Sequence, residues 1–308
     1  MPSLRSHIFR FILKHRHLLH FQLKRRAVID WNTSIPRFRE ECEKATKLLG
    51  NIPAGIEIAP VVINGIPAEW ILPSAAEKDK VLLYTHGGGY VSGSCSDHRA
   101  IVARVVKKCG VGALLFEYRL APEHPFPAAL DDSVEVYRGL LTQGISPSNI
   151  MIVGESAGGG LGLALLLALR DLNLPLPSAA VAISPWTDLK CTGESYRTKN
   201  KVSLAPADSW IVFSKYYVGD SDPSNPWISP LYGDLHGLPP ILILVGEDEE
   251  LLDDSTKFTE KAKTAGVDVR LKIGERMVHC YPLLPSFIPE AKQAMDEICA
   301  FIRMHMGK

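Results

Sequence analysis

Several features that would mark other classes of protein are missing from this sequence. No run reaches the ~18 apolar residues of a transmembrane helix, so no membrane span or stable membrane insertion is predicted. The 34 basic and 34 acidic side chains cancel, which gives no overall attraction to nucleic acid. The six cysteines show no Cys-x-x-Cys spacing, so no metal site is predicted and we expect reduced thiols in a cytoplasmic protein.

What the sequence does contain is an alternation of strand-like and helix-like runs. A hairpin over 57–72 is predicted around Asn64-Gly65, a strong turn signal. The later runs predict strands over 81–85, 111–118, 149–153, 179–184, 240–245 and 269–273, and helices over 97–109, 127–142 and 157–170. This order is typical of a mostly parallel sheet with helices on both faces, whose functional groups lie at the carboxyl ends of the strands.

A serine stands at the turn after the predicted strand 149–153. Ser156 is the centre of Gly-x-Ser-x-Gly, and the run that follows reads as a helix. The two glycines suit a turn so tight that side chains would collide with neighbouring backbone, while the turn lifts the serine hydroxyl into the open. The pattern predicts a nucleophile elbow.

A second glycine-rich segment follows the predicted strand 81–85, where His86 precedes three consecutive glycines. Such a run lets backbone N–H groups face an oxygen that becomes negative during acyl transfer. A serine nucleophile also needs a base and an acid, in the chain order Ser, acid, His. Among His236, His279 and His305, only His279 lies in a loop between a predicted strand and the C-terminal helix, so we take His279 as the base.

The acid is expected just after the strand 240–245, where residues 246–254 offer six carboxylates. Two of them, Asp253 and Asp254, suit the first turn of the following helix. The composition of the loop does not choose among the remaining four.

Four ordered motifs make the sequence recognisable: HGGGY at 86–90, YRLAPEHPFPAA at 118–129, GESAGG at 154–159 and SPWTDL at 184–189. Together they resemble the hormone-sensitive-lipase family of α/β-hydrolases, the bacterial-type carboxylesterases, over nearly the whole chain. The resemblance implies a twisted, mostly parallel eight-stranded sheet with a helical cap. It further implies a carboxylesterase for short- to medium-chain acyl esters, with a small-molecule ester as partner and no metal or cofactor.

The resemblance also assigns the site residues. The family's acid stands two residues before a leucine and about thirty residues before the histidine, which selects Glu249 here. The family usually has Asp at this position, and Asp248 is the alternative. The residue after the base is Cys280, where the family usually has Gly. By position, the oxyanion hole consists of the N–H groups of Gly88, Gly89 and Ala157.

The N-terminal segment carries an uneven charge, because residues 1–29 contain seven basic side chains and no acidic one. The basic residues are Arg5, Arg10, Lys14, Arg16, Lys24, Arg25 and Arg26, and apolar residues recur at helical spacing at Leu4, Ile8, Phe11, Ile12, Leu18 and Leu19. A basic amphipathic helix of this kind is typical of a membrane-surface anchor or of a mitochondrial transit peptide. We favour a third interpretation, a cap helix over the active site, as in the family.

The resulting domain organisation has four parts. Residues 1–50 are expected to form N-terminal cap helices and 189–231 a helical cap insertion, with the α/β-hydrolase core over 51–188 and 232–308. A homodimer is common in the family. Two other functions use the same fold, namely an amidase or peptidase with the same triad and a non-catalytic ligand-binding protein. The presence of Ser156, Glu249 and His279 argues against the non-catalytic alternative.

Overall fold

One sheet of eight strands runs through the molecule, in the order β1-β2-β4-β3-β5-β6-β7-β8. The computed structural model describes residues 2–15, 28–47, 51–74, 79–203 and 205–306. The strands are β1 (Ile56–Ile63), β2 (Ile66–Pro73), β3 (Val81–Thr85), β4 (Gly112–Phe116), β5 (Ile150–Glu155), β6 (Ala179–Ile183), β7 (Ile241–Gly246) and β8 (Val269–Gly274). The α-helices are α1 (Leu4–Lys14), α2 (Ile35–Lys47), α3 (Cys95–Cys109), α4 (Ala128–Thr142), α5 (Ala157–Asp171), α6 (Ser195–Thr198), α7 (Ser209–Val218), α8 (Leu252–Thr264) and α9 (Pro289–His305).

The first two strands form the predicted hairpin. Ile63 pairs with Ile66 across a two-residue turn in which Asn64 and Gly65 both have positive φ, at 47° and 85°. Strand β2 also pairs antiparallel with β4, whereas every neighbouring pair from β4 to β8 is parallel. The prediction of a mostly parallel eight-stranded sheet is confirmed.

The inner strands are apolar along their whole length because both faces of the sheet are covered. Every residue of β3, β4, β5, β6 and β7 is buried, as expected for parallel strands between two layers of helices. Helices α4, α5 and α8 pack on one face, and α3 and α9 pack on the other. This arrangement confirms the predicted α/β-hydrolase fold.

Two helices outside the sheet layers contact each other through aromatic side chains. Phe38 of α2 packs against Phe213 of α7, with ring centroids 5.4 Å apart. The Arg39 side chain fixes α2 to the core by donating hydrogen bonds to the Glu123 carboxylate and to the carbonyl oxygens of Val91 and Ala121. The two helices lie in the segments 1–50 and 189–231 that are predicted to form the cap, and this division, with its boundaries at 50, 188 and 231, stays a prediction.

Helix α1 contacts the rest of the molecule through its polar side. Ser3 and Ser6 bind the Glu290 carboxylate, and Arg10 forms an ion pair with Asp248. The predicted apolar side faces outward instead, with Leu4 75% and Phe11 64% exposed. The rest of the predicted amphipathic segment, with Leu18, Leu19, Arg16, Lys24, Arg25 and Arg26, lies outside the described residues. Among the helices described here, none has the length and apolar character needed to cross a bilayer.

The prediction of six reduced thiols is wrong for two of them. Cys109 at the end of α3 and Cys299 in α9 form a disulfide, with Cα atoms 4.8 Å apart. Their separation of 190 residues gave no sign of this pairing, which depends on α3 and α9 packing on the same face of the sheet. The other four cysteines are free thiols. One argument for a cytoplasmic location is therefore removed, and that location stays a prediction.

Candidate active site

Ser156 occupies the turn between β5 and α5 in a strained backbone conformation. Its φ of 56° and ψ of −123° lie outside the regions that non-glycine residues favour. A hydrogen bond from its N–H to the Ile183 carbonyl, 2.9 Å long, holds the turn in place. A Cβ atom at Gly158 would lie 2.1 Å from the Thr85 carbonyl oxygen, so glycine is required at that position. The geometry is that of a nucleophile elbow.

The structure brings together the three residues expected to form the triad. The His279 Nε2 atom is 3.0 Å from Ser156 Oγ, and its Nδ1 atom is 3.1 Å from Glu249 Oε2. The other two histidines that the sequence offered lie elsewhere: His236 pairs with Asp234 at the surface, and His305 packs on Phe301 in α9. One imidazole therefore connects a hydroxyl to a carboxylate.

Glu249 and Asp248 point in different directions although they are adjacent in the loop after β7. The Glu249 side chain is fully buried, and its Oε2 atom also accepts a hydrogen bond from Ser184 Oγ at 3.0 Å. Asp248 instead forms ion pairs with Arg10 and Lys199. The carboxylate beside the imidazole is thus that of Glu249.

Two opposing effects act on the pKa of His279. Burial lowers it, but the neighbouring Cys280 and Glu249 side chains outweigh burial and raise the pKa well above its usual value. Burial also raises the pKa of the Cys280 thiol above its usual value.

The glycine loop after β3 presents backbone donors to the same cavity. Gly88 and Gly89 line it and have φ of 114° and 66°. The N–H groups of Gly88, Gly89 and Ala157 donate no hydrogen bond to any residue within the described ranges. Ala157 is fully buried and begins α5, directly after Ser156. Unpaired amides near a nucleophile are able to stabilise a developing negative charge.

The cavity above Ser156 has a volume of about 340 Å³, and three aromatic side chains from the helices α2 and α7 line it. Phe38 comes from α2, whereas Trp210 and Phe213 come from α7. The Trp210 ring meets the His279 ring edge to face at 5.7 Å. This wall depends on the pairing of α2 with α7, which is a tertiary contact.

Sequence analysis missed a buried charged group directly beside Ser156. The Glu155 carboxylate accepts a hydrogen bond from the Gly87 N–H at 2.7 Å and lies 3.1 Å from His98 Nε2. The His98 Nδ1 atom is 2.6 Å from Asp97 Oδ1. The group joins the glycine loop, the nucleophile elbow and α3. In the sequence, the only sign of this group was an acidic residue, Glu155, at the second position of Gly-x-Ser-x-Gly. That sign does not show that His98 is its partner.

His98 is expected to make stability depend on pH. Burial lowers its pKa, but hydrogen bonds to Asp97 and Glu155 raise it to about 10. A raised pKa gives stabilisation that is complete below about pH 6.5 and lost as pH rises toward 10. Relative to His98→Gln, the wild type should lose on the order of 4 kcal/mol of unfolding free energy over this range. Urea denaturation at pH 6, 8 and 9.5 measures this loss, and parallel profiles for the two proteins would contradict it.

Known proteins resemble this chain over most or all of its length. The family described as alpha/beta hydrolase fold matches residues 82–283. An acetyl-hydrolase from Streptomyces hygroscopicus is 39% identical over 286 residues, covering 91% of this chain and 94% of that protein. An esterase from Acinetobacter venetianus is 38% identical over 248 residues, covering 80% of this chain and 82% of that protein. A crystal structure of an esterase from the bacterial hormone-sensitive lipase family has a TM-score of 0.89 at 38% identity and covers 100% of both chains.

Proposed function

The chain belongs to the hormone-sensitive-lipase family of α/β-hydrolases, and on that basis we propose that it is a serine carboxylesterase acting through Ser156, His279 and Glu249. The observation that carries the proposal is the position of His279, within 3.1 Å of both the Ser156 hydroxyl and the Glu249 carboxylate. A serine hydroxyl is a weak nucleophile at neutral pH, so it depends on a base in this position.

Hydrolysis then proceeds in two steps. Ser156 Oγ attacks the ester carbonyl while His279 Nε2 takes its proton, and Glu249 stabilises the imidazolium. The N–H groups of Gly88, Gly89 and Ala157 stabilise the oxyanion, and His279 gives its proton to the leaving alcohol. In the second step a water molecule, deprotonated by His279, attacks the acyl-enzyme. His279 then returns this proton to Ser156 Oγ as the bond to the acyl group breaks, and the carboxylic acid is released. The steps need no metal or cofactor.

We further propose short- to medium-chain acyl esters as substrates. The cavity of about 340 Å³ is lined on the side of α7 by Trp210 and Phe213. These side chains are anchored, since Trp210 packs edge to face on the buried Trp186 and Phe213 packs on Phe38. A long acyl chain would have to displace them.

The test is a series of p-nitrophenyl esters from acetate to palmitate, together with p-nitroacetanilide. We expect kcat/KM to be highest for acetate to butyrate and to fall steeply by palmitate. Turnover of the anilide but of none of the esters would contradict the proposal and favour an amidase. A flat profile through palmitate would contradict only the limit on chain length.

Gly88→Ala is expected to lower kcat by about 10²- to 10³-fold, the usual effect of losing an oxyanion donor. A Cβ atom at this position would lie 2.1 Å from the Ser92 carbonyl oxygen, so the loop must move away from the oxyanion. The matched control is Gly144→Ala, because Gly144 also has positive φ but has open space around its Cβ position. Steady-state kinetics with p-nitrophenyl butyrate measure the effect, and equal loss in both variants would contradict it.

A further inference from the structure

A second cavity, the basic groove, lies beside the active-site cavity between α3 and α9. Its volume is about 530 Å³. Four of its lining side chains are basic, namely Arg104, Lys107 and Lys108 from α3 and Lys292 from α9. None of the described residues that line it is acidic. The disulfide between Cys109 and Cys299 joins the two helices that form its walls.

The basic groove and the active-site cavity share part of their lining. Ile101, Arg104, Leu283 and Leu284 line both. Ile101, Arg104 and Lys108 are spaced by three and four residues on α3, so they lie on one face of the helix. Seven residues correspond to a rise of about 10 Å along the helix axis. The shared apolar residues Ile101, Leu283 and Leu284 therefore lie between the cavity that contains Ser156 and the basic side chains of the groove.

The four basic side chains of the basic groove differ in their contacts and exposure. The Lys108 Nζ atom pairs with Asp296 Oδ1 at 2.6 Å. The Arg104 guanidinium donates a hydrogen bond to the Leu283 carbonyl oxygen at 3.1 Å. Lys107 and Lys292 are exposed to solvent.

We propose that the basic groove binds the anionic end of ester substrates. The substrate class is an ester in which one chain ends in a carboxylate or similar anion, several carbons from the ester bond. Its aliphatic part would lie on Ile101, Leu283 and Leu284, and its anion would meet Arg104, Lys107 and Lys292. This inference rests on the proposed esterase function and gives it a specificity.

The test compares kcat/KM for esters that differ only by a terminal carboxylate. For the acyl side, the pairs are the p-nitrophenyl monoesters of succinate, adipate and suberate against butyrate, hexanoate and octanoate. For the alcohol side, 6-acetoxyhexanoate is compared with hexyl acetate in a pH-stat. The anionic-to-neutral ratio is kcat/KM for the anionic ester divided by kcat/KM for its neutral partner. We expect this ratio to increase with chain length on at least one side, because a longer chain carries the anion toward Lys107 and Lys292, which line the basic groove and not the active-site cavity.

The variant that tests the groove is Lys107→Gln combined with Lys292→Gln. We expect it to lower the anionic-to-neutral ratio of the longer pairs by roughly tenfold, mainly through KM, since exposed charges contribute modestly. Raising NaCl to 0.5 M should lower the wild-type ratio in the same way. Lys257→Gln, an exposed lysine on α8, is the matched control and should leave the ratio unchanged.

An anionic-to-neutral ratio that is equal in the wild type and the double variant, for both the acyl and the alcohol series, would overturn the inference. A ratio insensitive to salt would overturn it as well, because attraction between exposed charges is screened. If no neutral ester is hydrolysed, the proposed esterase function fails instead. The neutral esters therefore separate the two failures.

Discussion

We expect the Ser156→Ala variant to hydrolyse p-nitrophenyl butyrate about 10⁵- to 10⁶-fold more slowly than the wild type, with little change in KM. Without Oγ no acyl-enzyme forms, and the remaining rate comes from the oxyanion donors and substrate binding alone. The residual kcat measures this rate after active-site titration has excluded contaminating esterase. Ser209→Ala is a matched control, because Ser209 lines the same cavity but its hydroxyl binds the Pro206 carbonyl oxygen.

The double variant Ser156→Ala, His279→Ala should be no slower than Ser156→Ala. Residues that act as one catalytic unit have effects that do not add, since the base has no role once the nucleophile is gone. A further large loss in the double variant would mean that His279 acts independently of Ser156, and would contradict the proposed mechanism.

Glu249→Gln is expected to lower kcat by about 10³- to 10⁴-fold while preserving the size of the side chain. Its amide can donate as well as accept a hydrogen bond, so it no longer fixes the tautomer in which Nε2 of His279 is free to take a proton. The neighbouring Asp248→Asn should keep kcat within about threefold of the wild type, because Asp248 pairs with Arg10 and Lys199 instead. The reverse result would assign the acid to Asp248.

The dependence of kcat/KM on pH provides a second test of the role of Glu249. The attacking form needs a neutral imidazole, so activity is lost as pH falls through the pKa of His279. Glu249 helps to raise that pKa above its usual value. In Glu249→Gln the acidic limb of kcat/KM should therefore move to lower pH, whereas in Asp248→Asn it should stay in place. Profiles from pH 5 to 10 measure the shift.

Local sequence patterns were enough to predict most of the sheet and two of the three proposed triad residues. The glycines around Ser156 and the position of His279 between a strand and the last helix are short-range features. Glu249 is different, because the local sequence does not distinguish which of four carboxylates in one loop is the acid of the triad. Only the resemblance to a family selected it, and the direction of its side chain depends on how β6 places Ser184 beside it.

The features that could not be predicted all depend on contacts between distant parts of the chain. His98 meets Glu155 because β5 lies beside β3 and α3 follows the glycine loop. Cys109 meets Cys299 because two helices share one face of the sheet. Helix α1 was predicted from its amphipathic pattern, but the pattern did not show which side of the helix faces inward. The polar side does so, because it contacts Glu290 and Asp248.

The backbone at Ser156 also sets a limit on how stable an active form of this protein can be. A non-glycine residue in such a conformation typically destabilises the fold by about 1–3 kcal/mol. Ser156→Gly would relieve that strain and should raise the melting temperature by a few degrees while abolishing turnover. Selection of variants for heat resistance alone would therefore favour loss of the nucleophile. A thermotolerant catalyst based on this chain has to be sought with activity and stability measured together.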